Sequence, residues 1–575
     1  MVYMDYAGAG KASVQQMKAV ANDLTDMNLS NPHSKHLSGK FTSAVIDHSL
    51  KNLFRILQHF KVTADSHAVI FTSGATESLK LVAETFDFGK KHLIFQFFTN
   101  QTFIGGGIFV YMRDSHTSVA GMRELIRSRC DTVSVVDFED LQDLKPDTTN
   151  SLFAITAMSN FCGRKYDLRK SFVCLDAAAW TPSSVLDLSK YKADFTAISF
   201  YKIFGYPTGI GALIVRHDSM ELLKKNYFGG GTVRLMVPDD FSVFYKNDFS
   251  ERLFEDGTVN YWGIAAVERG FEDLEAYGGM SEIENKTYRL SSALRKLLNQ
   301  KYDNGSPVAK IYEHSGDASS ETQGPIVTFN LLRSDGTYVG YAEVEKMCSL
   351  YGIELRTGCF CNQGACQNYL QISREEQLKN FQSGKECGDQ RDLQNGKPLG
   401  AVRASFGRQS TDEVVRTIDC GDEAAKWISR LTKRDNCRLQ RKLEDLSART
   451  SPYLLINRNS VADVASVAGL STEEAIDRFR ANFVIDGLEA FAEDRISRIQ
   501  IGQTWFTAVG KCTRCQIICI DPTTGEKNPS MLLALRDYRT DTKTTFGIYL
   551  QHDVGSEGKT LEVGMPVEIV WQSGN

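Results

Sequence analysis

Two apolar runs that each end in a reactive side chain most constrain this chain. Phe172-Val173-Cys174-Leu175-Asp176 closes on a carboxylate. Phe195-Thr196-Ala197-Ile198 leads into Ser199-Phe200-Tyr201-Lys202 and the glycine-rich turn Gly205-Tyr206-Pro207-Thr208-Gly209-Ile210-Gly211. A lysine on a tight glycine-rich turn thus follows an aspartate that closes an earlier apolar run. A lysine can condense with the aldehyde of pyridoxal 5'-phosphate (PLP), and an aspartate can keep its pyridine nitrogen protonated. Singly, the lysine reads as a surface charge and the aspartate as a helix cap. Together they point to chemistry at an amino acid's carbon skeleton.

Length sets the organisation. At 575 residues the chain exceeds one ordinary core and predicts two or three domains. Lys and Arg number 66 against 71 Asp and Glu, a net charge of -5 with no long basic run, which argues against nucleic acid as a partner. No apolar run is long enough to span a membrane, and no leader precedes Asp5, so a cytoplasmic protein is expected. The thirteen cysteines are then expected to be reduced thiols.

Up to about Leu431, short apolar runs such as Ala68-Val69-Ile70-Phe71, Leu93-Ile94-Phe95 and Leu152-Phe153-Ala154-Ile155 alternate with helical patterns. This predicts an α/β core with a mostly parallel sheet. The polar stretch from Arg374 to Lys397 reads as a long surface loop. Residues 432–449 are dense in charge and read as a linker. Residues 450–575 read as mainly β, with a strand at Tyr453-Leu454-Leu455-Ile456 and a short helix from Thr472 to Phe479.

Phe71-Thr72 runs into Ser73-Gly74-Ala75-Thr76, a turn at a helix start whose N–H groups could hold a phosphate. His116, in Asp114-Ser115-His116-Thr117-Ser118, could stack on a cofactor ring. These pieces, with Asp176 and Lys202 in the same order, resemble the class V aminotransferases, and among them the cysteine desulfurases, over residues 3 to 430. The resemblance implies the aspartate aminotransferase-like PLP-dependent transferase fold, with a smaller α+β subdomain, and a homodimer. It implies that Tyr3-Met4-Asp5-Tyr6-Ala7 is the opening strand, that Ser199 and Tyr201 contact phosphate, and that Thr258 reaches the partner's phosphate. It also implies that Asn160 lies by cofactor and substrate, and that Arg403 with Arg356 binds the substrate carboxylate, for which a guanidinium fork is suited. In Arg356-Thr357-Gly358-Cys359-Phe360-Cys361-Asn362, Cys361 aligns with the nucleophile that takes sulfur from L-cysteine as a persulfide and leaves L-alanine. Cys359 and Cys366 could relay sulfur or have no catalytic part. Ala179 departs from the family, which has glutamine there.

Gly510-Lys511-Cys512-Thr513-Arg514-Cys515 forms a second cluster. Its Cys-x-x-Cys could be a redox pair or half a zinc site, but a soft thiolate beside basic residues also suits a thiophilic metal and an anionic cofactor. With Phe479-Arg480-Ala481-Asn482, Ala492-Glu493-Asp494 and Tyr538-Arg539 it resembles the MOSC domain. That resemblance places Cys515 nearest molybdenum and makes Arg480, Arg514 and Arg539 partners of the pterin phosphate. A desulfurase joined to a MOSC domain resembles the eukaryotic molybdenum cofactor sulfurases, with the β-rich subdomain between the two parts apparently missing. The family's reaction sulfurates the molybdenum cofactor for xanthine dehydrogenase and aldehyde oxidase. The alternatives are a cysteine desulfurase serving other acceptors and a noncatalytic molybdenum cofactor-binding protein.

Overall fold

The computed structural model describes residues 2–572 except 28, 49, 90–91, 95–101, 105–106, 142–149, 169–172, 240–241, 246–250, 314–318, 387, 390, 412–416, 420–439, 443–452, 515, 523–527, 539–543 and 553–560. It divides into two compact units, Met1–Asp412 and Glu413–Asn575. The charged segment 432–449 lies, apart from Gln440–Lys442, outside the described residues.

The first unit is built on seven strands: β1 (His67–Thr72), β2 (Ile108–Met112), β3 (Thr132–Val136), β4 (Leu152–Thr156), β5 (Val173–Asp176), β6 (Phe195–Ser199) and β7 (Gly211–Arg216). Their order is β1-β7-β6-β5-β4-β2-β3. All pairs from β6 to β3 are parallel, and only β7 runs antiparallel to its neighbours β1 and β6. The expected mostly parallel sheet is present. Its central strands are apolar on both faces, as a sheet covered on both sides requires, and two clusters of buried side chains fill those faces. A smaller sheet contains β8 (Ala309–Tyr312), β9 (Ile326–Leu331), β10 (Arg356–Gly358) and β11 (Ala401–Ser405), in the order β8-β9-β11-β10.

Five helices of this unit matter for function: α1 (Ala75–Thr85), α2 (Phe200–Phe204), α3 (Tyr261–Ala276), α4 (Gln363–Leu370) and α5 (Arg374–Gln382). Lys202 sits within the single turn of α2, and the glycines follow it. Gly205 is required there. Its φ is +79°, and a Cβ would lie 2.2 Å from the Ala12 nitrogen, where the N-terminal segment crosses the end of α2. Helix α5 corrects the expected loop. Ser373 and Glu376 form a reciprocal capping box that starts it, and the absence of any buried residue on it explains why no apolar periodicity announced it.

The second unit carries a six-stranded sheet: β12 (Tyr453–Asn457), β13 (Phe483–Ile485), β14 (Ile496–Ile501), β15 (Thr504–Thr513), β16 (Thr545–His552) and β17 (Val567–Trp571), ordered β13-β12-β16-β15-β14-β17. The expected strand at Tyr453 and helix α6 (Thr472–Phe479) are both present. Helices Arg458–Ala468 and Ser530–Tyr538 add to a region read as mainly β. Val461, Val464 and Ala465 of the first, and Met531 and Leu535 of the second, pack with Phe479 and Phe546 into one core.

Candidate functional site

The parallel strands β5 and β6 end together, placing Asp176 and Ser199 at one sheet edge, with Lys202 one helical turn further on. Ala75, Thr76, His116, Asn160, Asp176, Ala178, Ala179, Ser199, Tyr201 and Lys202 line a single cavity there. This is the crevice at strand ends where open α/β sheets bind ligands. Gly211 allows the turns to close: a Cβ on it would lie 2.4 Å from the Ile198 oxygen and 2.5 Å from the Gly74 Cα. The Ser199 hydroxyl accepts from the Ala75 nitrogen at 2.8 Å, locking α1 to the end of β6. Thr76 and Ser118 hydroxyls pair at 2.8 Å, and the His116 Nδ1 accepts from the Ser118 nitrogen at 3.2 Å.

Burial pushes the Lys202 amine below the ordinary lysine range, and Arg403 and Arg356 push the same way, while Asp176 opposes them. His116 is likewise lowered by burial, against the pull of Asp176. Both groups are therefore biased toward the neutral form that can bond to, or exchange a proton with, a ligand. The carbonyls at the end of α2 are capped by the buried Arg408, which donates to the Ile203 oxygen at 3.1 Å and the Phe204 oxygen at 3.0 Å. Asp273 of α3 balances its charge at 2.8 Å from Nε.

Arg403 and Arg356 face each other in the β11–β10 register. Like charges placed opposite one another are unfavourable unless an anion joins them. Arg403 is 1 % exposed; it donates to Asp5 Oδ1 at 2.7 Å and the Asn160 oxygen at 2.8 Å, and its guanidinium lies 4.7 Å from the Phe360 ring centroid. Among the described residues its buried Nε has no partner, an orphaned donor of the kind a bound carboxylate satisfies. These donors, with Lys202 and Asp176, fit PLP and an amino acid substrate.

Cys361 is an exposed free thiol, following Phe360 with both residues in the left-handed region at φ +57° and +56°. The tight path brings Cys359 and Cys366 to a Cα separation of 5.4 Å, where they form a disulfide. The expectation of reduced thiols is corrected for this pair. Sequence reasoning missed Asp114, Asn362 and Asp5 as working parts. All three lie inside motifs already quoted, but each has a partner far along the chain: Asn362 donates to Asp114 Oδ1 at 2.6 Å across 248 positions, and Arg403 donates to Asp5 across 398. Ser73, whose nitrogen donates to the Glu77 carboxylate, and Gly74, which caps α1, stand beside the cavity without lining it. Thr258 is exposed and also away from it.

In the second unit, Arg480 is exposed at the left-handed end of α6. Arg514 turns inward: it donates to the Cys512 sulfur at 3.1 Å and the Phe479 oxygen at 3.0 Å, with its guanidinium 5.0 Å from the Phe479 ring. Cys515 and Arg539 lie outside the described residues.

The class-V aminotransferase family matches residues 2–418, and the MOSC domain matches residues 442–568. Over 709 aligned positions the chain is 38% identical to molybdenum cofactor sulfurase of Caenorhabditis elegans, covering 99% of both proteins. The alignment is longer than the 575 residues here, so about a hundred or more of that relative's aligned positions have no counterpart. The human molybdenum cofactor sulfurase is 41% identical over 445 residues, covering 72% of this chain and 49% of that protein. In fold, the first unit resembles the apo cysteine desulfurase of Thermococcus onnurineus NA1, with a TM-score of 0.54 at 19% identity over 72% of this chain and 91% of that one. The cysteine desulfurase CsdA of Escherichia coli gives 0.52 at 18%, over 71% and 90%. Family matches in two successive regions and whole-length identity to a sulfurase agree that this chain belongs to the molybdenum cofactor sulfurase family.

Proposed function

We propose that the chain takes sulfur from L-cysteine, releases L-alanine and delivers the sulfur to the molybdenum cofactor. The observation that carries this reading is a strand-end cavity lined by Lys202, Asp176 and Asn160, whose Asn160 is hydrogen-bonded both to Arg403 and to the Phe360 carbonyl just before Cys361. PLP, held by Lys202, Asp176, His116, Ser199, Tyr201 and the Ala75–Thr76 turn, supplies an electron sink for the amino acid's Cα. Arg403, with Arg356 across the strand pair, orients the substrate carboxylate. Lys202, its amine biased toward neutrality, moves the proton at Cα. Cys361 takes the sulfur: its Sγ–S bond forms as the Cβ–S bond of L-cysteine breaks, and protonation of Cβ leaves alanine. The thiol is exposed, as a group that must pass sulfur onward requires.

The MOSC region, with Cys515 nearest molybdenum and Arg480 and Arg539 toward the pterin phosphate, would receive the sulfur as a terminal ligand for xanthine dehydrogenase and aldehyde oxidase. No helix among the described residues is long and apolar enough to cross a membrane. We assign a cytoplasmic location and a homodimer. Leu37, Phe41 and Phe54, exposed by 86%, 47% and 58% on N-terminal helices, support a self-association surface. The nematode relative's aligned positions without a counterpart here favour a second reading, a desulfurase serving other acceptors. The deciding experiment is cysteine-dependent reactivation of desulfo xanthine dehydrogenase, with alanine measured in the same sample. Alanine with reactivation supports the sulfurase reading. Alanine alone supports the second reading, and neither product rejects both.

A further inference from the structure

Beside His116, the motif Asp114-Ser115-His116-Thr117-Ser118 begins with a carboxylate that accepts three side-chain hydrogen bonds, one from the residue after Cys361. Asp114 Oδ1 accepts from the Asn362 Nδ2 at 2.6 Å and the Ser159 hydroxyl at 2.9 Å, and Oδ2 accepts from the Tyr166 hydroxyl at 2.7 Å. Asn362 is fully buried, follows Cys361 directly, and caps α4 by accepting from the Ala365 nitrogen at 3.1 Å. Its Nδ2 also reaches the Asn160 Oδ1 at 2.8 Å, while the Asn160 Nδ2 donates to the Phe360 oxygen at 2.7 Å. The carbonyl of Cys361 itself accepts from the Thr117 nitrogen at 2.8 Å. Each of residues 360, 361 and 362 is thus tied to a segment that also lines the cofactor cavity or adjoins it. Gly364 completes the dock: a Cβ there would lie 2.0 Å from the Arg113 oxygen, so the first turn of α4 rests on the backbone just before Asp114.

We propose that Asp114 is a positioning residue for sulfur transfer, holding Asn362 so that the left-handed Cys361 loop is docked in place beside the cavity. Two consecutive non-glycine residues at positive φ are costly and persist only where surrounding contacts over-determine them. Asp114 accepts three hydrogen bonds, so its loss would leave a buried Asn362 donor and two hydroxyls to find new partners. The loop would then sample positions too far from the substrate sulfur, and misplacement by about 1 Å can slow a reaction roughly 10²-fold.

This proposal rests on Cys361 as the sulfur acceptor. The test uses the full chain with PLP and compares wild type, Asp114→Ala, Asp114→Asn, Asn362→Ser and Cys361→Ser. Serine at 362 can still cap α4 but is too short to reach Asp114. Three quantities are read: the visible absorbance of bound PLP, kcat and KM for alanine release, and hydrogen exchange of the peptide spanning 359–366. Asp114→Ala and Asn362→Ser are expected to keep the absorbance and leave KM within about twofold, while kcat falls tenfold or more and exchange rises in that peptide alone. Asp114→Asn, which still offers an acceptor to Asn362, is expected to recover most of kcat. Unchanged kcat in Asn362→Ser overturns the proposal, as does a loss of kcat matched by loss of PLP absorbance or by exchange rising throughout the unit. If Asp114→Ala does not fold, Asn362→Ser and Asp114→Asn still decide the matter. Retained alanine release in Cys361→Ser would overturn the underlying reading instead, whatever the Asp114 variants do.

Discussion

The two units answer the same question in opposite ways. In the first, residues from segments hundreds of positions apart converge: Lys202, Asp176 and His116 line one cavity, and the buried Arg403 bonds Asn160 of its wall. In the second, the described candidates diverge: Arg480 faces solvent while Arg514 is held against Phe479 and Cys512. The difference teaches that a motif acquires chemistry only where packing aims its side chains at a common point. A sheet buried on both faces does this by ending parallel strands together, whereas a short arginine-and-cysteine motif carries no such guarantee.

The largest expected effect lies in the first unit. Lys202→Ala should lower alanine release by roughly 10²–10⁴-fold, the range for removing a positioned proton-transfer group. Binding of molybdenum cofactor by the second unit should stay unchanged. Cys361→Ser should abolish the persulfide, scored by radiolabelled sulfur on the protein, while keeping the Lys202-dependent visible absorbance. If either change also weakened molybdenum cofactor binding, the two units would not be independent in the way their separate cores suggest.

Next come the arginines. Arg403→Lys loses the planar fork and the simultaneous bonds to Asp5 and Asn160. KM for L-cysteine should rise roughly 10–100-fold, as expected for charge-assisted hydrogen bonds worth about 1.5–3 kcal/mol. Arg514→Ala should act differently, destabilising the second unit by about 1–2 kcal/mol through lost packing and hydrogen bonds without touching alanine release. Thermal unfolding and the desulfurase assay check this together. An Arg514→Ala protein with unchanged unfolding but weakened molybdenum cofactor binding would break the contrast and restore Arg514 as a ligand group.

The sequence made Lys202 and Asp176 legible because Asp176 closes one apolar run and Lys202 follows another just before a glycine-rich turn. Parallel neighbours place their ends together without further information. Asn362 and Asp114 were visible as residues but not as a pair, because nothing local to either predicts a bond across 248 positions. Helix α5 was hidden for the opposite reason. Its capping box was present in Ser373 and Glu376, but with no buried side chain it lacked the apolar stripe by which helices are recognised. The Cys359–Cys366 disulfide depends on two left-handed residues between them, a backbone path no residue preference would suggest at Phe360.

The smallest expected effect concerns pH, and it has opposite signs in the two units. Burial, with Arg216 adding to it, lowers His67 from 6.5 to about 4. Between those values the unfolded chain binds a proton that the folded one refuses, so the first unit should be fully stabilised above about 6.5 and lose stability as pH falls toward 4. In the second unit Glu493 is fully buried, and burial raises its carboxyl above the ordinary 4.5, against donors from Ser460 and Asn457. There the folded chain keeps a proton the unfolded one has lost, so this contribution is complete below 4.5 and is lost as pH rises through the raised value. Hydrogen exchange of core peptides from β1 and β12, followed from pH 4 to pH 7, reads the two slopes separately. His67→Gln should reduce the first, part of which His59 keeps because burial lowers it likewise to about 4, and Glu493→Gln should flatten the second. Slopes of the same sign, each unmoved by its own substitution, would show that other groups govern the pH response of both units.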